Sequence, residues 1–354
     1  MDIIENILSQ LKQEDYSLLT GLVSGVIMIF VTNKSIDKYK IRKDYKPKNI
    51  KKVVLPPEIE CKFKQAEFNQ IDNEKIRKLL ERFTKIMMKN CSFEDLTILF
   101  NNINTLRINC KSFKILNLIF NTNYAGEYDT ITNTVNINEE EIKKDIFHEL
   151  LHMASSFYKN GVVFSGFSQQ RFSSIGDGLN EGYTELLCRR YFVKDEVEDS
   201  YKYLTFVSKK LEKIVGKDKM LSLYLNANLF GLINDLKEYA TEEEIMCFIK
   251  NTDFIYKYLD KEKAELALKN MLVESIKNIN EFLVKVYFKK LMVQLNASKI
   301  TYEQFISNML KYINSLTKPV TIKGKKYNIS TQEDLLIILK SLEEVFFNRA
   351  SVLR

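Results

Sequence analysis

The decisive segment is Phe147-His148-Glu149-Leu150-Leu151-His152-Met153, which carries the pattern His-Glu-x-x-His. The chain contains only two histidines, and both lie in this segment. In an α-helix, residues four apart lie one above the other on the same face. His148 and His152 can therefore bind one metal ion through their imidazoles, which is the pattern of zinc hydrolases. Glu149, one position round the helix from His148, is placed to take a proton from a water molecule at that metal.

The pattern also arises by chance, and two histidines on a helix can be ordinary surface residues. The flanking sequence argues against both alternatives. Asn138 is a suitable N-cap, the acidic run 139–141 suits the positive end of a helix dipole, and Asn160-Gly161 is a typical stop. Between them lies an apolar face of Ile142, Ile146, Phe147, Leu150, Leu151, Ala154 and Phe157. The sequence therefore predicts that the motif lies in the middle of a helix with a buried face.

A catalytic zinc ion needs a third protein ligand and an open coordination position. Since there is no third histidine, a carboxylate or a cysteine must supply that ligand. The best candidate is Glu181, in a second predicted helix that Asn180 would cap. Glu185, four residues later, would accept the spare ring N–H of a ligating histidine. Gly182 would let this helix approach the first one closely. The alternative is that both acids simply lie on an exposed helix start.

The two motifs together resemble those of the gluzincin metallopeptidases, in which His-Glu-x-x-His is followed by a helix with a glutamate ligand, often within Asn-Glu-Gly. The resemblance covers roughly residues 112–192. It implies a zinc peptidase in which His148, His152 and Glu181 are the metal ligands, Glu149 is the general base, and Glu185 orients a histidine ligand.

The chain departs from one branch of that family. Thermolysin-like gluzincins use a further histidine to stabilise the oxyanion, and this chain has none to offer. A tyrosine would have to take that role, as in other gluzincin branches. Tyr128, Tyr158 and Tyr183 are the nearby candidates, and the sequence does not distinguish among them.

Residues 17–33 are predicted to form one transmembrane helix after a short N-terminal tail at 1–16. The uncharged run from 17 to 32 has 16 residues, slightly short of the roughly 17–25 of a typical span. Tyr16 and Asn33 can extend it into the interface. The segment lacks the basic start and small-residue cleavage site of a secretory signal. A buried core helix is the alternative.

The basic linker at 34–57 predicts the orientation of that span. Its basic residues exceed its acidic ones by seven between 33 and 52, which equals the net charge of +7 of the whole chain. Such a cluster beside an apolar segment is typical of a cytoplasmic flank that contacts anionic lipid. Because the charge is confined to this flank and no aromatic-basic platform accompanies it, it does not favour nucleic-acid binding. Five cysteines without a Cys-x-x-Cys pair favour a reducing compartment.

The expected fold is α+β and mostly helical, with a gluzincin-like metallopeptidase core at 58–194 and a helical C-terminal lobe at 195–354. A small sheet is predicted before the motif helix, and it includes a hairpin at 126–137. By the resemblance, that hairpin would pair with an extended substrate backbone, although it could also be a sheet edge with no substrate role. The segment 161–178 is predicted to be a loop or short hairpin over the cleft.

The sequence thus predicts a zinc metallopeptidase in the cell membrane, with a single span and a cytoplasmic catalytic domain. Its substrate would be a peptide or protein. One alternative is a membrane-tethered helical scaffold with an inactive metal site, and another is an extracellular enzyme whose apolar segment serves secretion. The C-terminal lobe is predicted to contain helices at 199–215, 218–238, 242–257, 261–274, 276–297 and 302–315. A hairpin at 319–330 and a last helix from Ser330 to about Phe347 follow them.

Overall fold

The computed structural model describes residues 71, 73–111, 126–138, 142–192, 201–258, 266–316, 320–322 and 325–327. These residues are mostly helical, with three small β-sheets, as the α+β prediction required. Residues 170–174 belong to one unit of the chain and the other described residues to a second unit. The predicted tail, membrane span and basic linker lie outside the described residues. No described helix is both long and apolar enough to cross a bilayer.

In the part of the chain that the structure describes, two helices and a three-stranded sheet precede the histidine motif. Asn73 caps the first helix by accepting from the backbone N–H groups of Lys75 and Ile76. The sheet has the order β1-β3-β2, with β1 parallel and β2 antiparallel to β3. Strand β2 is therefore an edge of this described sheet. The elements are α1 (Glu74–Asn90), α2 (Thr97–Ile103), β1 (Arg107–Lys111), β2 (Gly126–Asp129) and β3 (Thr134–Asn138).

The hairpin predicted at 126–137 is confirmed. Strand β2 pairs with β3 from Gly126↔Ile137 to Asp129↔Thr134. Its turn begins where the Asp129 carboxylate accepts from the backbone N–H groups of Ile131 and Thr132, and it ends at Asn133, which has φ 49°. Aspartate and asparagine favour such turns because their side chains bond to nearby backbone and tolerate positive φ.

Helix α3 (Ile142–Ala154) carries the motif but ends earlier than the sequence predicted. The chain continues as the antiparallel hairpin of β4 (Ser156–Lys159) and β5 (Val162–Ser165). Asn160 and Gly161 form its two-residue turn, with φ values of 54° and 77°. Asn-Gly with positive φ at both positions is the tight hairpin turn whose twist matches paired strands. The pair was therefore a hairpin signal and not a helix stop, and His152 lies in the last turn of α3.

The remaining elements are mostly helices. The helix predicted at 218–238 is broken at Ala227, which has φ 48°. The described parts of the two helices predicted at 261–274 and 276–297 form one continuous helix from Leu266 to Asn296. The predicted C-terminal hairpin is present, and the last predicted helix lies outside the described residues. The elements are β6 (Ser168–Gln170), β7 (Ser174–Ile175), α4 (Asp177–Tyr191), α5 (Lys202–Val215), α6 (Lys217–Leu225), α7 (Leu229–Leu236), α8 (Glu242–Tyr258), α9 (Leu266–Asn296), α10 (Tyr302–Asn314), β8 (Val320–Ile322) and β9 (Lys325–Tyr327).

One apolar core includes side chains from every helix from α1 to α10. Helix α3 contributes Leu150 and Leu151, and α4 contributes Leu179 and Leu187, all at most 1% exposed. Burying side chains of this size stabilises a fold by about 1.5–3 kcal/mol each. Because these apolar faces are fixed in the core, the polar positions of α3 and α4 are held close to one another.

Candidate metal centre

The side chains of His148 and His152 on α3 and of Glu181 on α4 converge. The Nε2 atoms of His148 and His152 are 3.1 Å apart, and they lie 3.1 and 3.4 Å from the two carboxylate oxygens of Glu181. An ion with tetrahedral ligands at roughly 2.0–2.2 Å sets its ligand atoms about 3.3 Å apart. The structure thus brings together the three ligands that the sequence predicted, at a spacing that could hold a metal ion.

The charges of this metal cluster (His148, His152 and Glu181) also suit a cation. Burial raises the pKa of Glu181, but the charge of His152 and the hydrogen bonds with both histidines outweigh it and lower the pKa below its usual range. Burial lowers the pKa of His148, and the hydrogen bonds to Glu181 and Glu185 reverse this and raise it well above 6.5. Two imidazole nitrogens that face each other need a proton or a cation between their lone pairs. A divalent ion would satisfy both nitrogens and the buried carboxylate together.

Glu185 lies where it can orient His148. Its Oε2 atom is 3.3 Å from His148 Nδ1, and its Oε1 accepts a 2.6 Å hydrogen bond from Arg189 Nε. A histidine that donates through Nδ1 leaves the Nε2 lone pair for a metal. The contact that the sequence predicted for Glu185 is therefore present, and Arg189 additionally holds the carboxylate in place.

Asn180 has a different position from the one predicted for it. The sequence made it the cap of α4, but that helix begins at Asp177, so Asn180 lies inside the first turn and is buried. Its amide Nδ2 is 3.4 Å from His152 Nδ1, and its Oδ1 accepts from the backbone N–H of Phe167 at 3.2 Å. A His152 that binds metal through Nε2 carries its proton on Nδ1 and needs an acceptor there. The Asn180 amide faces Nδ1 with its nitrogen, a donor, and its oxygen is already used by the Phe167 N–H. Asn180 therefore lies beside His152 but does not accept a ring N–H from it as Glu185 can from His148.

Glu149 lies between the metal cluster and the edge strand β2. The residue is 7% exposed, and its Cγ is 3.3 Å from the position that a Cβ would take at Gly126. Burial raises the pKa of Glu149, although the charges of His148 and His152 oppose the shift. A carboxylate with a raised pKa is a stronger base near neutral pH. Because residue 126 is glycine, the β2 backbone reaches this carboxylate without an intervening side chain.

The three tyrosines named from the sequence have other surroundings. Tyr183 is fully buried and donates a 3.0 Å hydrogen bond to Glu212. Tyr128 donates to Asn133 at 2.9 Å, and Tyr158 is 52% exposed on β4. The aromatic ring that lies over the metal cluster is that of Tyr201, which stacks on His148 with a centroid distance of 5.9 Å. No local pattern indicates Tyr201 as a site residue, because it lies 53 positions after His148.

The close helix approach predicted at Gly182 exists, but with another helix. A Cβ at this position would lie 2.5 Å from the backbone oxygen of Leu204, which belongs to α5. The glycine therefore allows α4 to pack against α5 and not against α3. In the Asn-Glu-Gly segment, Asn180 and Glu181 therefore face the histidines of α3, and Gly182 faces α5.

The chain was compared with protein-family models, with curated protein sequences and with solved structures. None of the three comparisons finds a match.

Proposed function

We propose that this protein is a zinc metallopeptidase of the gluzincin type. The observation that carries the proposal is the convergence of His148, His152 and Glu181 within 3.4 Å, beside the buried carboxylate of Glu149. The contact of His148 Nδ1 with the Glu185 carboxylate supports it further, since ligating histidines almost always donate their other ring N–H.

The donor set favours zinc. Two imidazole nitrogens and one carboxylate oxygen form a three-ligand set typical of catalytic zinc, in which water or substrate takes a fourth position. Imidazole also suits copper, nickel and iron, so the choice of zinc follows from this combination and not from the histidines alone. Bound there, zinc would supply a Lewis acid that polarises the scissile carbonyl and lowers the pKa of water.

Within that chemistry Glu149 is the proton carrier. It would take a proton from the attacking water and give it to the leaving amine as the peptide bond breaks. Its burial supports this role, because burial raises the pKa of Glu149 and makes it a stronger base than an exposed carboxylate. Glu185 would keep His148 in the tautomer that leaves its Nε2 lone pair free.

The edge strand β2 is the proposed substrate platform. It has a hydrogen-bonded neighbour, β3, on one side only in the described sheet, and its Gly126 lies against Glu149. An extended peptide can add to such an edge through backbone hydrogen bonds. That position would bring a peptide bond of the substrate next to the carboxylate, which suits a peptide or protein substrate of little fixed sequence.

The proposal includes a membrane anchor at 17–33 and a catalytic domain on the cytoplasmic side. The apolar run, the basic linker at 34–57 and the cysteine pattern of the sequence support this arrangement. The competing proposal is a tethered helical scaffold whose metal site is inactive, and it shares the cluster but not the proton chemistry.

The test compares wild-type protein with Glu149→Gln for zinc content and for hydrolysis of an unstructured protein such as casein. We expect both to bind stoichiometric zinc, and the variant to lose hydrolysis by about 10²–10⁴-fold, the usual contribution of a general base. Glu74→Gln is the matched control, since Glu74 is an exposed residue of α1 that pairs with Lys78. Zinc binding without hydrolysis in the wild type would favour the scaffold. Hydrolysis that survives in Glu149→Gln would exclude this mechanism.

A further inference from the structure

The N-terminus of α4, the helix that bears Glu181, is held by a residue from a distant part of the chain. We propose that Asp253, on helix α8, is a positioning residue for the metal centre, because its carboxylate fixes the first turn of α4 and thereby the third ligand. The inference rests on the proposed metal site. Asp253 itself acts through α4, and its role is therefore positional and not catalytic.

Helix α4 has no side-chain cap of its own. Its N-cap residue is Gly176, with φ 87°, and the first N–H groups of any helix lack acceptors within the helix. Asp253 supplies them from α8: Oδ2 accepts from the backbone N–H of Gly176 at 2.9 Å, and Oδ1 from that of Gly178 at 3.0 Å. Both carboxylate oxygens are used, and the negative charge lies at the positive end of the helix dipole.

The backbones of the two helices also touch at this point. A Cβ at Gly178 would lie 2.3 Å from the backbone oxygen of Thr252 and 3.0 Å from the backbone nitrogen of Asp253. A Cβ at Gly176 would lie 2.0 Å from the backbone oxygen of Phe167. The start of α4 is therefore enclosed on two sides, and it is bonded to α8 within that enclosure. These contacts fix both the depth and the rotation of the helix.

The consequence reaches the metal cluster within one turn. Glu181 lies three residues after Gly178, and one residue of slip along an α-helix moves a side chain by about 1.5 Å and turns it by about 100°. Metal–ligand distances in a well-formed site hold to within about 0.2 Å. A first turn of α4 that is no longer held by Asp253 would thus misplace Glu181 relative to histidines that stand on a different helix.

The test is metal binding by Asp253→Asn in the full chain, with zinc and with cobalt(II). An amide keeps the shape of the carboxylate but sets an N–H₂ group against one of the two backbone N–H groups. We expect zinc affinity, measured by competition with a chromophoric chelator, to fall roughly 10-fold or more, by analogy with other groups that orient metal ligands. The visible absorption of the cobalt form should change as well, because it reports the positions of the ligand atoms. A residue that only stabilised the fold would move neither quantity in the folded protein.

Glu244→Gln is the matched control. Glu244 is near the other end of α8, where it accepts from the backbone N–H of Thr241 and pairs with Lys285. Its loss should lower thermal stability without changing zinc affinity or the cobalt spectrum. If Asp253→Asn does not fold, Asp253→Glu retains the charge and displaces it by one methylene, and the same two measurements apply to that variant.

The outcomes separate this inference from the proposed function. A folded Asp253 variant with the zinc affinity and the cobalt spectrum of the wild type would overturn the positioning role, whether or not the wild type hydrolyses peptides. A wild-type protein that binds zinc but hydrolyses no peptide would overturn the peptidase proposal and leave the positioning role standing. A wild-type protein that binds neither metal would overturn both.

Discussion

Helix α4 carries two buried polar clusters, and they differ in how their charges are balanced. The metal cluster joins Glu181 to the histidines of α3. The arginine cluster (Tyr183, Arg190 and Glu212) joins α4 to α5. In the arginine cluster Glu212 accepts hydrogen bonds of 2.8 and 2.6 Å from Arg190 and one of 3.0 Å from Tyr183. A buried carboxylate that meets a guanidinium and a hydroxyl has its charge and its lone pairs satisfied.

The metal cluster lacks that balance. Its carboxylate meets two imidazoles whose Nε2 atoms face each other at 3.1 Å, and these atoms cannot both be acceptors without a proton or a cation between them. The comparison teaches that buried charge alone does not mark a metal site. A metal site is indicated where lone pairs converge and no fixed cation of the protein neutralises them. Four predictions distinguish the two clusters on this basis.

The largest effect on stability should follow from Glu212→Ala. The change leaves the partly buried Arg190 guanidinium without its carboxylate, and breaking a buried ion pair costs about 3–5 kcal/mol. Since Arg190 keeps 21% of its side chain exposed, we expect the lower end, about 3 kcal/mol. Urea unfolding measures this loss in the free energy of unfolding, and zinc stoichiometry in native buffer is the control. Loss of zinc binding at full stability would contradict the separation of the clusters.

Metal removal should have the next largest effect, and only through the metal cluster. At free zinc 100 times its Kd, binding stabilises the native state by about 2.7 kcal/mol. We therefore expect zinc to raise the melting temperature of the wild type and not that of His148→Ala. The pKa of metal-free His148 is raised well above 6.5, so protons compete with the metal for this side chain. The stabilisation by zinc should therefore decline as the pH is lowered through the pKa of His148. An equal zinc shift in His148→Ala would place the metal elsewhere.

Glu185→Gln should weaken metal binding by roughly 10–100-fold, the usual effect of removing the partner of a ligating histidine. The amide oxygen can still accept from His148 Nδ1, but it lacks the charge that makes the imidazole a better ligand. Glu212→Gln is the matched control, because it removes the same charge from the arginine cluster. Similar zinc affinities for the two variants, measured by chelator competition, would count against the proposed division.

How much the sequence predicts depends on the range of the interaction. His148 and His152, and likewise Glu181 and Glu185, follow from spacings of four residues within helices, and the structure places their polar atoms as those spacings require. The hairpin at 126–137 follows from strand alternation and turn residues in the same way. Local rules suffice there, because the helix and the strand fix which side chains share a face.

The errors come from choices that only the folded chain decides. Asn160-Gly161 suits a helix stop as well as a hairpin turn, and the pairing of β4 with β5 selects the second. Asn180 suits a helix cap, but Asp253 already holds that helix end from α8, which leaves the amide for His152. In both cases a residue type that suits a helix terminus has another role in the folded chain.

The smallest effect should follow from Tyr183→Phe, and it tests both clusters together. Tyr183 was a candidate for oxyanion stabilisation from its place after Asn-Glu-Gly, yet its hydroxyl donates to Glu212 and is fully buried in the arginine cluster. Losing one hydrogen bond to a carboxylate that keeps its guanidinium should cost about 1.5 kcal/mol in urea unfolding. The kcat for peptide hydrolysis should not change, because the hydroxyl does not face the metal cluster. A stable Tyr183→Phe protein whose kcat is reduced 100-fold, which corresponds to about 2.7 kcal/mol in the activation free energy, would contradict this prediction. It would show that Tyr183 contributes to the reaction and that the two clusters are coupled.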